Sequence, residues 1–243
     1  MIAIETKGLT KVYKDTVAVD HLDLTVQEGE LFSLLGVNGA GKTTTIKMLT
    51  CLTAPTEGDA LIFGKSVCSE KKAVKKSIAI SPQETAIAPK LTVKENLLLM
   101  AGICGLSREI TTERIERLTE KLSLREVLSK SAGKLSGGYQ RRLSIAMALI
   151  SHPKILFLDE PTLGLDVIAR SELWDLIRSI KGIVTIILTT HYMEEAEALS
   201  DRIGIMKDGK LLFTGTAEEV KLQAGTDRFE EAFVKIVKEG RVC

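Results

Sequence analysis

The segment Gly36-Val37-Asn38-Gly39-Ala40-Gly41-Lys42-Thr43-Thr44 decides how the rest of the chain is interpreted. It follows the apolar run Leu31–Leu35 and precedes a segment, Thr44–Leu52, that favours a helix. The pattern G-x-x-x-x-G-K-[ST] between a strand and a helix predicts a phosphate-binding loop, because the glycines let successive N–H groups point at one anion. We expect Lys42 to reach the outer phosphates of a nucleoside triphosphate and Thr43 to hold Mg²⁺. The alternative is a glycine-rich turn that binds nothing, which both flanking segments disfavour.

The composition is that of an ordinary globular protein. The 243 residues are 44% apolar, which suits one large domain or a domain with a sub-domain. A net charge of +1 and an aromatic content of 4% give no reason to expect a nucleic-acid partner. The four cysteines Cys51, Cys68, Cys104 and Cys243 have no C-x-x-C spacing. We therefore expect reduced thiols, with neither a metal cluster nor a disulfide framework.

Membrane attachment through this chain itself is not expected. The segment Met1–Glu5 lacks the basic and apolar regions of a signal peptide. No apolar run approaches the roughly 18 residues that a membrane-spanning helix needs. Work at a membrane would therefore require another chain.

A second group of candidate site residues follows the apolar run Ile155–Leu158. An uninterrupted apolar run predicts a parallel strand that is covered on both faces. It ends in Asp159 and Glu160, which we expect at the carboxyl edge of the sheet, where ligands bind in doubly wound folds. Asp159 would hold Mg²⁺ through water, and Glu160 would take a proton from an attacking water. Two solvated acids at a strand end are the alternative.

The middle of the chain favours helices. Ile115, Leu118 and Leu122 fall on one face of the segment Leu91–Leu128, which predicts a helical sub-domain over about residues 84–150 with its own hydrophobic seam. The segment Leu135–Arg142 then places Ser-Gly-Gly before an amphipathic helix. A hydroxyl N-cap and two glycines at a helix start predict a second anion-binding end.

Three further residues are ambiguous when each is taken alone. Tyr13 could stack on an adenine, although plain packing explains a single Tyr on a strand. Gln83 ends a predicted strand and is unremarkable by itself. His191 ends the buried run Ile183–Thr190, where its imidazole could contact a γ-phosphate, although a structural histidine is the alternative.

The order of these signals resembles the nucleotide-binding subunit of ATP-binding cassette (ABC) transporters over nearly the whole chain. The segment Leu135–Gln140 is similar to the signature loop of that family, which is specific to it. The resemblance implies that ATP contacts the residues from Gly36 to Thr44 together with Tyr13, Ser136, Gly137, Gly138, Gln140 and the D-loop residue Asp166. It implies roles in hydrolysis for Lys42, Gln83 of the Q-loop, Glu160 and the switch histidine His191. It implies a Mg²⁺ site at Thr43, Gln83 and Asp159.

The same resemblance implies the fold. We expect an α/β P-loop NTPase (RecA-like) core with an N-terminal antiparallel β sub-domain and an inserted α-helical sub-domain. The core with its β sub-domain is predicted over residues 1–83 and 151–215. The helical signature sub-domain is predicted over 84–150 and the C-terminal helices over 216–243.

The function implied by the resemblance is ATP hydrolysis that powers a separate membrane permease. Two cassettes, as a homodimer or with a paralogue, would pack head to tail so that each signature loop completes the ATP site of the other. The permease would dock near residues 83–105 and hold the subunit at the cytoplasmic face of the cell membrane. The chain looks most like bacterial ABC-2 type exporters. The alternative is a soluble ABC ATPase of repair, cluster assembly or translation, or a regulatory module, which the retained Glu160 and His191 disfavour.

Overall fold

The computed structural model describes residues 1–240. Its strands are β1 (Ile2–Tyr13), β2 (Thr16–Leu22), β3 (Thr25–Gln27), β4 (Leu31–Gly36), β5 (Glu57–Ile62), β6 (Lys65–Ser66), β7 (Ile78–Ser81), β8 (Ile155–Asp159), β9 (Thr185–Thr190), β10 (Arg202–Lys207) and β11 (Lys210–Gly215). Its α-helices are α1 (Lys42–Leu49), α2 (Lys71–Lys75), α3 (Val93–Ile103), α4 (Arg108–Lys121), α5 (Gly137–Leu149), α6 (Val167–Ile180), α7 (Met193–Leu199), α8 (Ala217–Ala224) and α9 (Phe229–Glu239). Cys51, Cys68 and Cys104 are free cysteines, whereas Cys243 lies outside the described residues.

A mostly parallel sheet forms the centre of the fold, with the strand order β11-β10-β4-β9-β8-β7. Only β11, at one edge, runs antiparallel to its neighbour β10. The strands β4, β8 and β9 are buried along their whole length, which agrees with the apolar runs at Leu34–Leu35, Ile155–Leu158 and Ile186–Leu188 and leaves the threonines of β9 buried as well. Because these strands are parallel, their carboxyl ends bring Gly36, Asp159 and Thr190 to the same edge of the sheet.

A second, antiparallel sheet is built from the N-terminal part of the chain. Strand β1 lies between β2 and β5, and β3 and β6 extend the sheet. The fold is therefore the predicted one, an α/β core with a parallel sheet and an N-terminal antiparallel sheet.

Hydrophobic clusters cover both faces of the parallel sheet. One cluster joins the two sheets and α1, and it contains Ile4, Phe32, Ile46 and Phe157. The opposite face packs on the helical segment, so that Leu122 after α4 shares a cluster with Leu156 of β8. The predicted separate seam of the helical segment is therefore wrong, because its apolar residues belong to the core of the sheet. The domain boundaries at 83 and 150 stay a prediction.

Two element boundaries differ from the sequence expectation. Helix α1 begins at Lys42 instead of Thr44, so the last three residues of the Gly36–Thr44 segment form its first turn. Strand β9 begins at Thr185 instead of Ile183, because the chain turns back after α6 and leaves Ile183 exposed. Among the helices of residues 1–240, none combines the length and the apolar character that crossing a bilayer requires.

Candidate active site

The phosphate loop lies between the end of β4 and the start of α1, and close packing explains two of its glycines. A Cβ atom on Gly36 would lie 2.5 Å from the carbonyl oxygen of Met206. A Cβ on Gly41 would lie 2.5 Å from the carbonyl oxygen of Ala18, and its φ of +101° is one that glycine adopts without strain. Gly41 is the N-cap of α1 and makes no side-chain cap. The first N–H groups of α1 therefore remain available to phosphate oxygens, together with the positive end of the helix dipole.

Lys42 is the buried cation of this loop. Its Nζ atom donates to the carbonyl oxygens of Gly36 at 2.8 Å and Val37 at 3.2 Å, and it lies 3.7 Å from Oε1 of Glu160. Burial lowers the pKa of Lys42, while the nearby carboxylates of Glu160 and Asp159 oppose that shift. An ammonium group held by carbonyls in a poorly solvated cleft is suited to binding phosphate oxygens.

The carboxylate of Glu160 lies between the ammonium group of Lys42 and the imidazole of His191. Its Oε1 faces Lys42, and its Oε2 is 3.0 Å from Nδ1 of His191. The backbone of Glu160 has a φ of +47°, in the left-handed region that non-glycine residues seldom adopt. Its N–H donates to the carbonyl oxygen of Thr189 at 3.0 Å, which fixes this turn against β9. The strand ends of β8 and β9 thus hold Glu160 and His191 together.

Asp159 and Thr43 form the oxygen-rich part of the cleft. Oγ1 of Thr43 donates to Oδ1 of Asp159 at 3.3 Å, and Oγ1 of Thr189 donates to the same oxygen at 2.5 Å. Hydroxyl, carboxylate and amide oxygens are the donors that Mg²⁺ accepts, so this set fits the ion.

The cleft that joins these groups has a volume of about 440 Å³. Besides Lys42, Thr43, Glu160 and His191, its walls include Gln83 from the end of β7. The carbonyl of Gln83 accepts a hydrogen bond of 2.7 Å from the guanidinium of Arg141, which also donates to Pro82 at 2.6 Å. The structure therefore brings together residues from four separate segments that the sequence singled out.

Other predicted site residues lie outside this cleft. Tyr13 is 44% exposed, with Nζ of Lys11 5.0 Å from its ring centroid. Ser136 caps α5 by accepting from the N–H of Tyr139 at 3.5 Å. The amide of Gln140 donates to the carbonyl oxygens of Leu135 and Ala132.

The two glycines of the Ser136 loop pack against the turn of Leu165 and the start of α6. A Cβ on Gly137 would lie 3.4 Å from Cδ2 of Leu165, and a Cβ on Gly138 would lie 3.2 Å from Cβ of Ala169. Asp166 accepts from the N–H of Ala169 at 2.9 Å and so caps α6. The N-terminal ends of α5 and α6 are therefore both capped by side chains of this chain.

Two residues of the site were not anticipated from the sequence. Thr189 holds both Asp159 and the backbone of Glu160, and Arg141 holds the segment of Gln83. The position of Thr189, two residues before His191 on a buried strand, was an available signal. Arg141 is only 4% exposed within an amphipathic helix, and no pattern in the sequence distinguishes it from a solvated arginine.

The parallel sheet, the glycine loop that opens α1 and the acid at the end of β8 define a P-loop nucleoside triphosphatase. The family model described as "ABC transporter" matches residues 19–163. The chain belongs to the ABC transporter family and is an ATPase domain of that family.

Curated relatives and solved structures agree with this assignment. The chain is 40% identical over 243 residues to the probable multidrug ABC transporter ATP-binding protein YbhF of Escherichia coli, covering 97% of this chain and 42% of that protein. It is 42% identical over 226 residues to the daunorubicin/doxorubicin resistance ATP-binding protein DrrA of Streptomyces peucetius, covering 93% of this chain and 68% of that protein. The chain thus spans less than half the length of YbhF and about two thirds of DrrA.

A solved ATP binding subunit of an ABC transporter has the same fold. It superposes with a TM-score of 0.85 at 29% identity, covering 96% of this chain and 99% of that one. CbiO1 of Clostridium perfringens, part of the cbiONQ transporter complex, superposes with a TM-score of 0.81 at 26% identity, covering 92% of this chain and 96% of that one.

Proposed function

We propose that this chain binds and hydrolyses ATP to power transport, in the direction of export, by a separate membrane permease. The observation that carries the proposal is the meeting of Lys42, Glu160 and His191 in one cleft below a phosphate loop. The relatives named for multidrug and daunorubicin resistance favour export over import.

The chemistry proposed is in-line attack of water on the γ-phosphate. The loop amides and Lys42 bind the phosphates and stabilise charge that develops in the transition state. Glu160 accepts the proton of the attacking water, an effect worth about 10²–10⁴ in rate. His191, held by Glu160 at 3.0 Å, orients the water and the γ-phosphate.

The oxygen donors beside the phosphate loop would suit a Mg²⁺ ion. Thr43, Asp159 and Gln83 would hold it, Asp159 through water. The ion would supply charge neutralisation at the β- and γ-phosphate oxygens.

We propose that a second subunit completes the site. The residues Ser136, Gly137, Gly138, Gln140 and Asp166 lie outside the cleft that contains Lys42. Two copies packed head to tail would place the Ser136 loop of one against the triphosphate of the other. The partner is a second copy of this chain or a paralogue, and release of the γ-phosphate separates the pair.

The membrane partner is proposed to dock on the segment after Gln83. Helix α3 presents the apolar side chains Leu98, Leu99 and Ile103, which are 44%, 47% and 69% exposed. An exposed apolar surface on the helix that follows Gln83 in the chain suits a helix of the permease. That contact would hold the subunit at the cytoplasmic face of the membrane.

The test compares the wild-type chain with the Glu160→Gln variant in ATP and Mg²⁺. The wild type should release phosphate, and the variant should lose about 10²–10⁴ of that rate while still binding ATP. Size-exclusion chromatography should show an ATP-dependent dimer of the variant. Wild-type protein without phosphate release would overturn the catalytic proposal, and a variant that stays monomeric in ATP would overturn the two-subunit site.

A further inference from the structure

A buried carboxylate behind the cleft has no role in the chemistry described above. Glu195, in the first turn of α7, is 0% exposed. Its Oε1 accepts a hydrogen bond of 3.1 Å from the indole N–H of Trp174. Its Oε2 is buried and makes no hydrogen bond within residues 1–240. Keeping a carboxyl group in the interior with one hydrogen bond costs free energy, so its presence there calls for an explanation.

Two segments of the site place a polar group near this carboxylate, which itself follows His191 by four residues. Thr162 follows Glu160 by two residues, and Arg170 lies in the first turns of α6 after Asp166. Burial raises the pKa of Glu195, while the hydroxyls of Thr190 and Thr162, the Trp174 indole and the charge of Arg170 oppose that shift. Oγ1 of Thr162 and Nε of Arg170 are themselves buried and, like Oε2 of Glu195, have no partner at hydrogen-bond geometry among the described residues, so they act on the carboxylate by proximity.

The same cluster reaches His191 through ring contacts. The guanidinium of Arg170 lies 4.7 Å from the ring centroid of Tyr192. The rings of Tyr192 and His191 are 4.2 Å apart between centroids, with an interplanar angle of 38°. The N–H of Tyr192 also donates to Oγ1 of Thr190 at 2.9 Å. A shift of Arg170 would therefore move the ring that packs against the imidazole.

We propose that Glu195 and Arg170 are positioning residues for ATP hydrolysis, which tie the loop after Glu160 and helix α6 to the turn of His191. Neither side chain lines the cleft beside Lys42. They act by fixing where the imidazole lies relative to the Glu160 carboxylate. The inference rests on the proposed function, because it concerns the geometry of that reaction.

The variant Glu195→Gln separates this role from a purely structural one. The Gln side chain keeps an oxygen that accepts from Trp174 but removes the charge and replaces the second acceptor by an N–H donor. A stabilising role predicts a lower melting temperature and unchanged kcat. The positioning role predicts that kcat falls about tenfold, since small displacements of catalytic groups cost large factors in rate. KM for ATP should change less than about twofold, because the variant removes no residue that the proposal places in contact with ATP.

A double-mutant cycle gives the second readout. Arg170→Met alone should lower kcat by a similar factor. The double variant should be no slower than either single variant, because each substitution already disrupts the same cluster of Glu195 and Arg170. Glu197→Gln is the matched control, since Glu197 lies on the same helix with its side chain 42% exposed and pairs with Lys221. Its kcat should equal that of the wild type.

Trp174→Phe is a milder variant of the same contact, for use if Glu195→Gln fails to fold. It keeps an aromatic ring and removes only the N–H that binds Oε1, so it should lower kcat in the same direction by a smaller factor. Placing Glu195→Gln in the Glu160→Gln background should leave the ATP-dependent dimer intact. Wild-type kcat in both Glu195→Gln and Arg170→Met would overturn the inference, whereas a wild-type protein without ATPase activity would overturn the proposed function.

Discussion

The two glycine-rich helix starts of this chain differ in what surrounds them. The loop before α1 faces Lys42, Glu160 and His191 within one cleft. The loop before α5 has an exposed Ser136, and its Gln140 binds carbonyl oxygens of the same loop. The first is a nearly complete site for a triphosphate, whereas the second is a donor surface without catalytic groups around it. If both serve the same ATP, the second must come from another subunit.

The largest expected effect tests the loop before α1, which has the proposed catalytic groups around it. Lys42→Ala should abolish both ATP hydrolysis and the ATP-dependent rise in melting temperature, because ligand stabilises only the fold that binds it, by about 2.7 kcal/mol at 100-fold excess over Kd. Differential scanning fluorimetry with and without ATP measures this. Lys47→Ala, an exposed lysine of the same helix, is the control and should keep the full shift. An undiminished shift in Lys42→Ala would place the nucleotide elsewhere.

The next effect tests the loop before α5, which has no catalytic groups around it. Ser136→Arg should lower hydrolysis about 100-fold by blocking the second subunit's phosphates, while the thermal shift with ATP stays, because the Lys42 cleft is intact. Mixing this variant with Lys42→Ala creates pairs that contain one site with both halves unaltered. Phosphate release should then recover above the sum of the two separate rates. No recovery at any mixing ratio would contradict a site shared between subunits.

A moderate effect concerns the exposed ring of Tyr13. If it stacks on the base, Tyr13→Ala should weaken ATP binding about tenfold, since stacking on one base is worth about 1–3 kcal/mol. Titration with a fluorescent ATP analogue measures the change, and Tyr13→Phe should retain most of the affinity. Equal losses in both variants would point to the hydroxyl group instead of stacking.

The smallest effect concerns stability and pH behind the cleft. The raised pKa of Glu195 means that the folded state holds this proton more tightly than the unfolded state. Wild-type stability contributed by Glu195 is therefore present below its unfolded pKa and is lost as pH rises toward its folded pKa. The groups that face it are Arg170, Arg141, Trp174, Thr162 and Thr190.

Glu195→Gln should consequently raise the melting temperature by a few degrees near pH 7, by about 4–8 °C per kcal/mol at most in a small domain and less in a chain of this size. The gain should shrink near pH 4, where the wild-type carboxyl is protonated in both states. Glu197→Gln, at an exposed position, should show no such pH trend. A gain that is equal at both pH values would contradict the assigned cause.

The parts of the fold that the sequence predicts are those encoded locally. The loop from Gly36 to Thr44, the buried run before Asp159 and the turn after Thr190 each carry their signal within a few residues. Parallel strands then oblige the ends of these runs to meet at one edge. Hence the meeting of Lys42 and Glu160 at one edge of the sheet was predicted without any knowledge of tertiary contacts, whereas the role of His191 was predicted only from the resemblance to ABC transporters.

The parts that escaped prediction depend on contacts between distant segments. Arg141 reaches Pro82 and Gln83 across 59 and 58 residues, and Trp174 reaches Glu195 across 21. Nothing near Arg141 or Glu195 in the sequence marks these two charged residues as buried. The separate hydrophobic seam was predicted wrongly for the same reason, because periodicity gives the apolar face of a helix but not the surface that covers it.

Helix α5 joins the Ser136 loop at its amino end to Arg141 one turn further on. The helix is a stiff rod about 20 Å long, at 1.5 Å per residue. In the proposed two-subunit arrangement, a second subunit's triphosphate that pulls on this first turn would move the guanidinium with it and carry the Pro82–Gln83 backbone along through two hydrogen bonds. Displacement at the proposed subunit contact would thereby reach the segment that leads to α3, the proposed docking site of the permease.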